Sequence, residues 1–186
     1  MEKLIKFISR YAQLSPAAIA GLKCFAEEEK SKKNVLILNA GQVCHKIWFL
    51  TSGMVRKYQL QDGKERTCWI HFENEIFTSL DSYFSQTPSK DIIEACEESE
   101  IISISKEASK ELARFPEFLS FTNALMGEQF ASIDRVSKEF SFMDAKQRYN
   151  YLQKVSPKLF QKAKLGHIAS IMGITQETLS RIRSKE

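Results

Sequence analysis

Between Leu165 and Ser184 the chain reads LGHIASIMGITQETLSRIRS, and each position that a tightly turned pair of short helices constrains holds a residue that meets the constraint. Ile168, Ala169 and Met172 give the first helix an apolar face, and Gly173 supplies positive φ just beyond its end. Ile174 plugs the turn, and Thr175 caps a second helix whose inner side carries Leu179 and Ile182. Ala169 is small where the helices must approach closely, and the three-residue turn has the length that DNA-binding helix pairs use. Gln176, Glu177, Ser180 and Arg181 fall on the outer side or at the exposed first turn, with side chains suited to reading base edges. A helical hairpin that only covered a core would not need them on one stripe.

Charge points the same way. From Ser141 to Glu186 nine Lys and Arg stand against three Asp and Glu, net +6, whereas residues 1–140 are net −2. A positive field confined to the segment with the helix pair suits a phosphate backbone, whose neutralisation releases counterions. Lys164, His167, Thr175 and Ser180 are expected at phosphates, which orient a protein without specifying sequence, with His167 equally readable as a plain surface residue, and Arg183 and Lys185 extend that set. The same helical end could instead contact a protein, making the chain a ligand sensor or scaffold. DNA binding that is salt-dependent yet sequence-selective separates the two.

With 186 residues, 43% of them apolar, the chain can bury one good core and a small second one. No apolar run is long enough for a membrane span, and MEKLIKFISR is amphipathic without a cleavable apolar stretch, so a soluble, cytoplasmic protein is expected. Cys24, Cys44, Cys68 and Cys96 stand far apart with no CxxC pair, as reduced thiols rather than metal ligands. His45, His71 and His167 form no HxH or HxxxH pair, and there is neither a nucleophile motif nor a P-loop. Neither an enzyme nor a metal site is expected.

Along the chain the hydrophobic period changes twice. The first thirty residues show helical spacing, with Ser15-Pro16 starting a second helix. From Asn34 short β-type runs follow, VLIL, IWFL, MVRKYQL, RTCWIHF, DIIEA and EIISIS, separated by Gly41, Gly53, Asp62-Gly63 and a polar stretch from Ser82 to Lys90. Many short strands imply a sandwich or barrel, and Asp62-Gly63 predicts a two-residue hairpin turn. After Ser105 the pattern is helical. Leu119, Met126, Ile133 and Phe140 recur every seven residues, a seam for a second copy of the chain or a face for the β-domain. A helix from Asp144 to Val155, with Tyr149, Leu152 and Val155 inward, completes a three-helix head.

This order of parts, with AGQ at 40–42, WFLTSGMVRKY at 48–58, DGKE at 62–65 and ITQETLSRIR at 174–183, resembles the Crp/Fnr family of bacterial transcription regulators over nearly the whole chain. The resemblance implies an α+β fold with an N-terminal double-stranded β-helix, a jelly-roll-like β-roll of the cyclic-nucleotide-binding type, over 1–112. It further implies a long dimerisation helix at 113–140 and a helix-turn-helix domain at 141–186. The partners it implies are double-stranded DNA, a second copy of the chain, RNA polymerase and a small-molecule effector, without a membrane. The family's base contacts fall on Gln176, Glu177 and Arg181; the family has Arg at the first, so a different half-site is implied.

Members that bind cyclic nucleotides place Gly-Glu and Arg-Ser around the ribose and phosphate. Here Ser79-Leu80 and Ser89-Lys90 stand at those positions, so the ribose acceptor and the phosphate fork are missing. Cyclic AMP is not expected to bind, no cofactor is evident, and these four residues are the candidates for lining an effector pocket. The cysteine cluster of the Fnr branch is absent, and Cys44-His45, the one adjacent pair for haem, reads more simply as strand and turn. The chain ends at Glu186 directly after the second helix, so the family's β wing is not expected.

Overall fold

The computed structural model describes residues 1–184. Two helices open the chain, α1 (Glu2–Ile8) and α2 (Pro16–Phe25), the second starting where Ser15-Pro16 predicts, with the Ser15 hydroxyl accepting from the Ala18 amide at 3.2 Å. The strands are β1 (Ala26–Ser31), β2 (Leu36–Leu38), β3 (Lys46–Ser52), β4 (Met54–Gln61), β5 (Lys64–Phe72), β6 (Ile76–Phe77) and, after α3 (Leu80–Ser85), β7 (Asp91–Ala95) and β8 (Ser99–Ser105). They form two antiparallel four-stranded sheets, β1-β8-β3-β6 and β2-β7-β4-β5. Between the sheets lie Leu38, Trp48, Leu50, Val55, Phe77, Ile93 and Ile101. The Asp62-Gly63 turn joins β4 to β5 with positive φ at both residues (51° and 72°), the geometry that a right-twisted hairpin requires.

Two elements depart from the sequence reading. The expected helical stretch ends at Phe25, and β1 follows directly despite its run Glu27-Glu28-Glu29-Lys30. β1 is an edge strand, where charge is the normal protection against stray pairing, and Lys46 reaches Glu27 at 3.1 Å and Glu29 at 2.9 Å. The polar stretch from Ser82 to Lys90 is not all loop. It overlaps α3, whose Ser82 hydroxyl accepts from the Cys44 amide at 2.9 Å and donates to the Thr87 carbonyl at 2.6 Å.

Beyond the roll come α4 (Lys106–Leu112) and the 27-residue α5 (Pro116–Phe142), which begins with a proline in its first turn. Phe118 and Phe121 of α5 bury against Leu4, Phe7, Ile8 and Leu22 of the N-terminal helices. Leu119, Met126, Phe130 and Ile133 are exposed. Phe140 leaves the expected seam: its ring packs edge-on to Tyr151 at 5.7 Å, and Arg148 donates to its carbonyl at 3.0 Å. The C-terminal head consists of α6 (Ala145–Val155), α7 (Pro157–Lys162), α8 (Leu165–Met172) and α9 (Gln176–Arg183). Tyr149 and Leu152 of α6 are buried as expected, but Val155 is 52% exposed because the chain turns at Ser156-Pro157 and carries α7 away from it. No helix of the described residues is long and apolar enough to cross a membrane.

Candidate nucleic-acid interface and the effector region of the roll

The turn between α8 and α9 is built by three residues. Gly173 takes the left-handed conformation (φ 69°), letting the Ile174 amide donate back to the Ala169 carbonyl at 3.0 Å. The Thr175 hydroxyl accepts from the Thr178 amide at 3.2 Å and starts α9. Inside the angle Ile168, Ala169, Met172 and Leu179 are buried. That packing leaves Gln176, Glu177, Ser180 and Arg181 exposed on one side, where with Leu165 and Ser184 they line a single open depression. Glu177 stays anionic, since its own backbone amide and the Thr175 hydroxyl hold its carboxyl below the usual range. A carboxylate, an amide and a guanidinium thus face outward from one helix, with no competing partner from the core among the described residues.

The cations expected at phosphates divide. Lys164, which precedes α8, and Arg183 in the last turn of α9 are exposed. His167 is not on that side. It lies half-buried against the roll, its Nε2 3.1 Å from Arg56 Nη1 of β4, because α8 packs along the free edge of β5. Arg148 is consumed structurally, donating to the carbonyls of Phe140 and of Met172, the latter at 3.3 Å. Lys185 lies outside the described residues.

Three interface residues escaped the sequence reading: Arg56, Thr67 and Ser170. The Ser170 hydroxyl accepts from the Thr67 amide of β5 at 2.8 Å, and Ile70 and Phe72 of β5 share the core of the head with Leu152, Ile168 and Met172. A polar Ser170 amid the apolar residues of α8 was the one available signal. An arginine in a strand carries no partner in the sequence.

At the effector region Ser79 and Ser89 come together and Leu80 and Lys90 do not; both of the latter are exposed. Ser79 Oγ donates to Asp91 Oδ2 at 2.7 Å, Ser89 Oγ donates to Ser79 Oγ at 2.9 Å, and Gln59 Nε2 donates to Asp91 Oδ1 at 2.7 Å. The Ser89 hydroxyl also accepts the Asp91 amide at 2.9 Å, with the Asp91 carbonyl, 3.0 Å away, as the alternative acceptor for its one proton. Both serines are thereby saturated, and a carboxylate sits among them. An anion placed here would face Asp91 and find its hydroxyl donors already engaged. Cys44 is buried and bonded to Thr78, while His45 is bonded to Gln86 at 3.0 Å, so that adjacent pair does not converge on one point. Among the described residues no group of three or more His, Cys, Asp or Glu could hold a metal ion.

Residues 28–114 match the family model of the cyclic nucleotide-binding domain. The fold recurs in solved structures of low sequence identity. The catabolite activator protein of Thermus thermophilus is 21% identical over 92% of this chain and 83% of its own, with a TM-score of 0.58. A CooA mutant from Carboxydothermus hydrogenoformans is 18% identical over 97% and 83%, with a TM-score of 0.72. A protein of Eubacterium rectale described as a Crp/Fnr-family transcriptional regulator is 20% identical over 92% and 83%, with a TM-score of 0.67. No curated protein matches the chain.

Proposed function

We propose that this chain, whose residues 28–114 form a roll of the cyclic nucleotide-binding type within the fold of the Crp/Fnr regulators, is a homodimeric, sequence-specific DNA-binding transcription regulator. The observation that carries the reading is the outward stripe Gln176, Glu177, Ser180 and Arg181 on a capped helix whose opposite side is buried. Arg181 offers two parallel donors to guanine, Glu177 accepts from a cytosine amino group, and Gln176 matches the paired donor and acceptor of adenine. Lys164 and Arg183 flank the stripe as phosphate contacts. Leu119, Met126, Phe130 and Ile133 supply the apolar stripe for a second copy, which sets two heads about one helical turn of DNA apart. In this reading residues 1–112 are the sensor, 113–140 the dimerisation helix and 141–186 the reader. The chain does no catalysis of its own and acts in the cytoplasm, with RNA polymerase as a further partner. In this reading the roll does not take cyclic AMP, which is supported by the Asp91 carboxylate and the engaged hydroxyl protons of Ser79 and Ser89.

The test is selection of bound duplexes from a random library with purified protein at near-physiological salt, with and without cyclic AMP. Enrichment of one two-fold-symmetric site, unchanged by cyclic AMP, is expected. Absence of any enriched sequence in either arm and with cell extract added would discard the reading. Once the site is known, Arg181→Ala should weaken specific binding by about 1–3 kcal/mol and relax preference at one position of each half-site. Titration against a panel of single-base variants checks this; an unchanged preference removes Arg181 from base reading.

A further inference from the structure

The contact between the head and the roll contains a histidine, His167, and the chemistry of its partner fixes which protonation state can dock. Arg56 is 5% exposed, ion-paired through Nη1 to Glu65 and through Nη2 to Glu94, both at 2.7 Å, and laid over the Tyr58 ring at 4.0 Å. A guanidinium has only donors and does not lose its proton in this range. Its Nη1, 3.1 Å from His167 Nε2, therefore donates to a lone pair, which requires a neutral imidazole with its proton on Nδ1. Protonated Nε2 would face Arg56 donor to donor.

We propose that the His167–Arg56 contact is a proton-sensitive latch: neutral His167 holds α8 on the β4–β5 hairpin, and protonation of His167 loosens the head from the roll. The groups facing His167 are Arg56 from β4, Glu65 from β5, Glu94 from β7, and Lys164 just before α8. Cys96 lies beyond them, its thiol pushed up to about 11 chiefly by burial and so uncharged. Glu65 and Glu94 favour an imidazolium, but each is paired with Arg56 through one oxygen and their pull is outweighed. Burial first, then Arg56 and Lys164, keep the His167 pKa below its ordinary value despite Glu65 and Glu94. The sign follows from linkage. The undocked head binds the proton more readily, so docking is at full strength above the free-histidine pKa of about 6.5 and weakens as pH falls through the docked value. The latch acts on the position of the head whatever the head binds.

The reporter is the Thr67 amide, whose bond to Ser170 exists only when the head is docked. Its hydrogen-exchange protection in the full chain is measured by NMR at about pH 7.5 and about pH 5.5, corrected for the intrinsic rate. In the wild type it should fall by about fivefold to tenfold, the most that protonating a group of free pKa about 6.5 can take from docking between those two pH values. In His167→Gln, which keeps a neutral acceptor for Arg56 and leaves His45 and His71 in place, protection should not respond to this pH change. A wild-type signal that does not move overturns the proposal, as does an equal fall in His167→Gln or one shared by the Phe49 amide of the β3–β8 ladder. Direct titration of the His167 ring in the wild type needs no variant, and a pKa at or above the free value overturns it too.

Discussion

Gly53→Ala should cost the roll roughly 2–6 kcal/mol, the sum of backbone strain and overpacking of about 1–3 kcal/mol each. Gly53 lies where the chain leaves β3 in one sheet and enters β4 in the other, with φ of 99°. A methyl group there would stand 2.7 Å from the Ser99 Cα and 2.8 Å from the Glu98 carbonyl oxygen, and against the Ser99 hydroxyl. Two of those atoms are backbone and cannot rotate aside. Ser99 is itself fully buried and holds the crossing, accepting from the Met54 amide at 3.3 Å and donating to the Glu97 carbonyl at 2.9 Å. Gly41 and Gly63 are the controls. Both have positive φ but nothing within 4 Å of an added methyl group, so alanine there should cost only about 1 kcal/mol. Urea denaturation of the three variants checks the ranking; Gly53→Ala no worse than Gly41→Ala would mean that the crossing relaxes. Against a total stability of about 5–15 kcal/mol, the expected loss leaves little margin.

Gly53 also marks how far local pattern reaches. Its value as a strand separator is visible in the sequence, but its close approach to Ser99 is set by a residue 46 positions away. Features fixed within a few residues were legible: the Asp62-Gly63 turn, β7 over DIIEA, the left-handed Gly173 and the Thr175 cap. Features decided by a distant neighbour were not. The acidic run of β1 reads as a helix end until its edge position and the cations of Lys46 and the N-terminal amine are known. Phe140 continues a seven-residue repeat, yet Tyr151 and Arg148 draw it into the head.

The candidate site divides along the same line. The outward stripe of α9 follows from helical period and a local cap, so its four residues fall together as the sequence predicts. His167 is one residue from the buried Ile168, and which of its neighbours it meets depends on where α8 lies against β5. That Ser79-Leu80 and Ser89-Lys90 stand where the ribose and phosphate groups would be is what the family resemblance implies, position by position. That Asp91 would engage both serines could not be read from the sequence, because it requires the chain to turn between α3 and β7.

Arg56→Ala should destabilise the roll by about 3 kcal/mol, the lower end of the range for breaking a buried ion pair from one side. Burial opposes the charge of Arg56, but the hydrogen bonds and charges of Glu94 and Glu65 outweigh it and hold its pKa above the ordinary value. The two carboxylates differ in what they lose. Glu94 is 17% exposed and would be left without its cation in a poorly solvated position, whereas Glu65 is 51% exposed and can return to water. Glu65→Ala should therefore cost under about 1 kcal/mol, and the double variant Arg56→Ala/Glu94→Ala should be more stable than Arg56→Ala alone. Urea denaturation of these variants measures the set. An Arg56→Ala protein within about 0.5 kcal/mol of the wild type would show that the pair is no better than its desolvation cost. The loss should also reach the head, because Arg56 joins the sheet to α8 through His167: protection of the Thr67 amide should fall in Arg56→Ala and depend less on pH, since burial and Lys164 still act on His167.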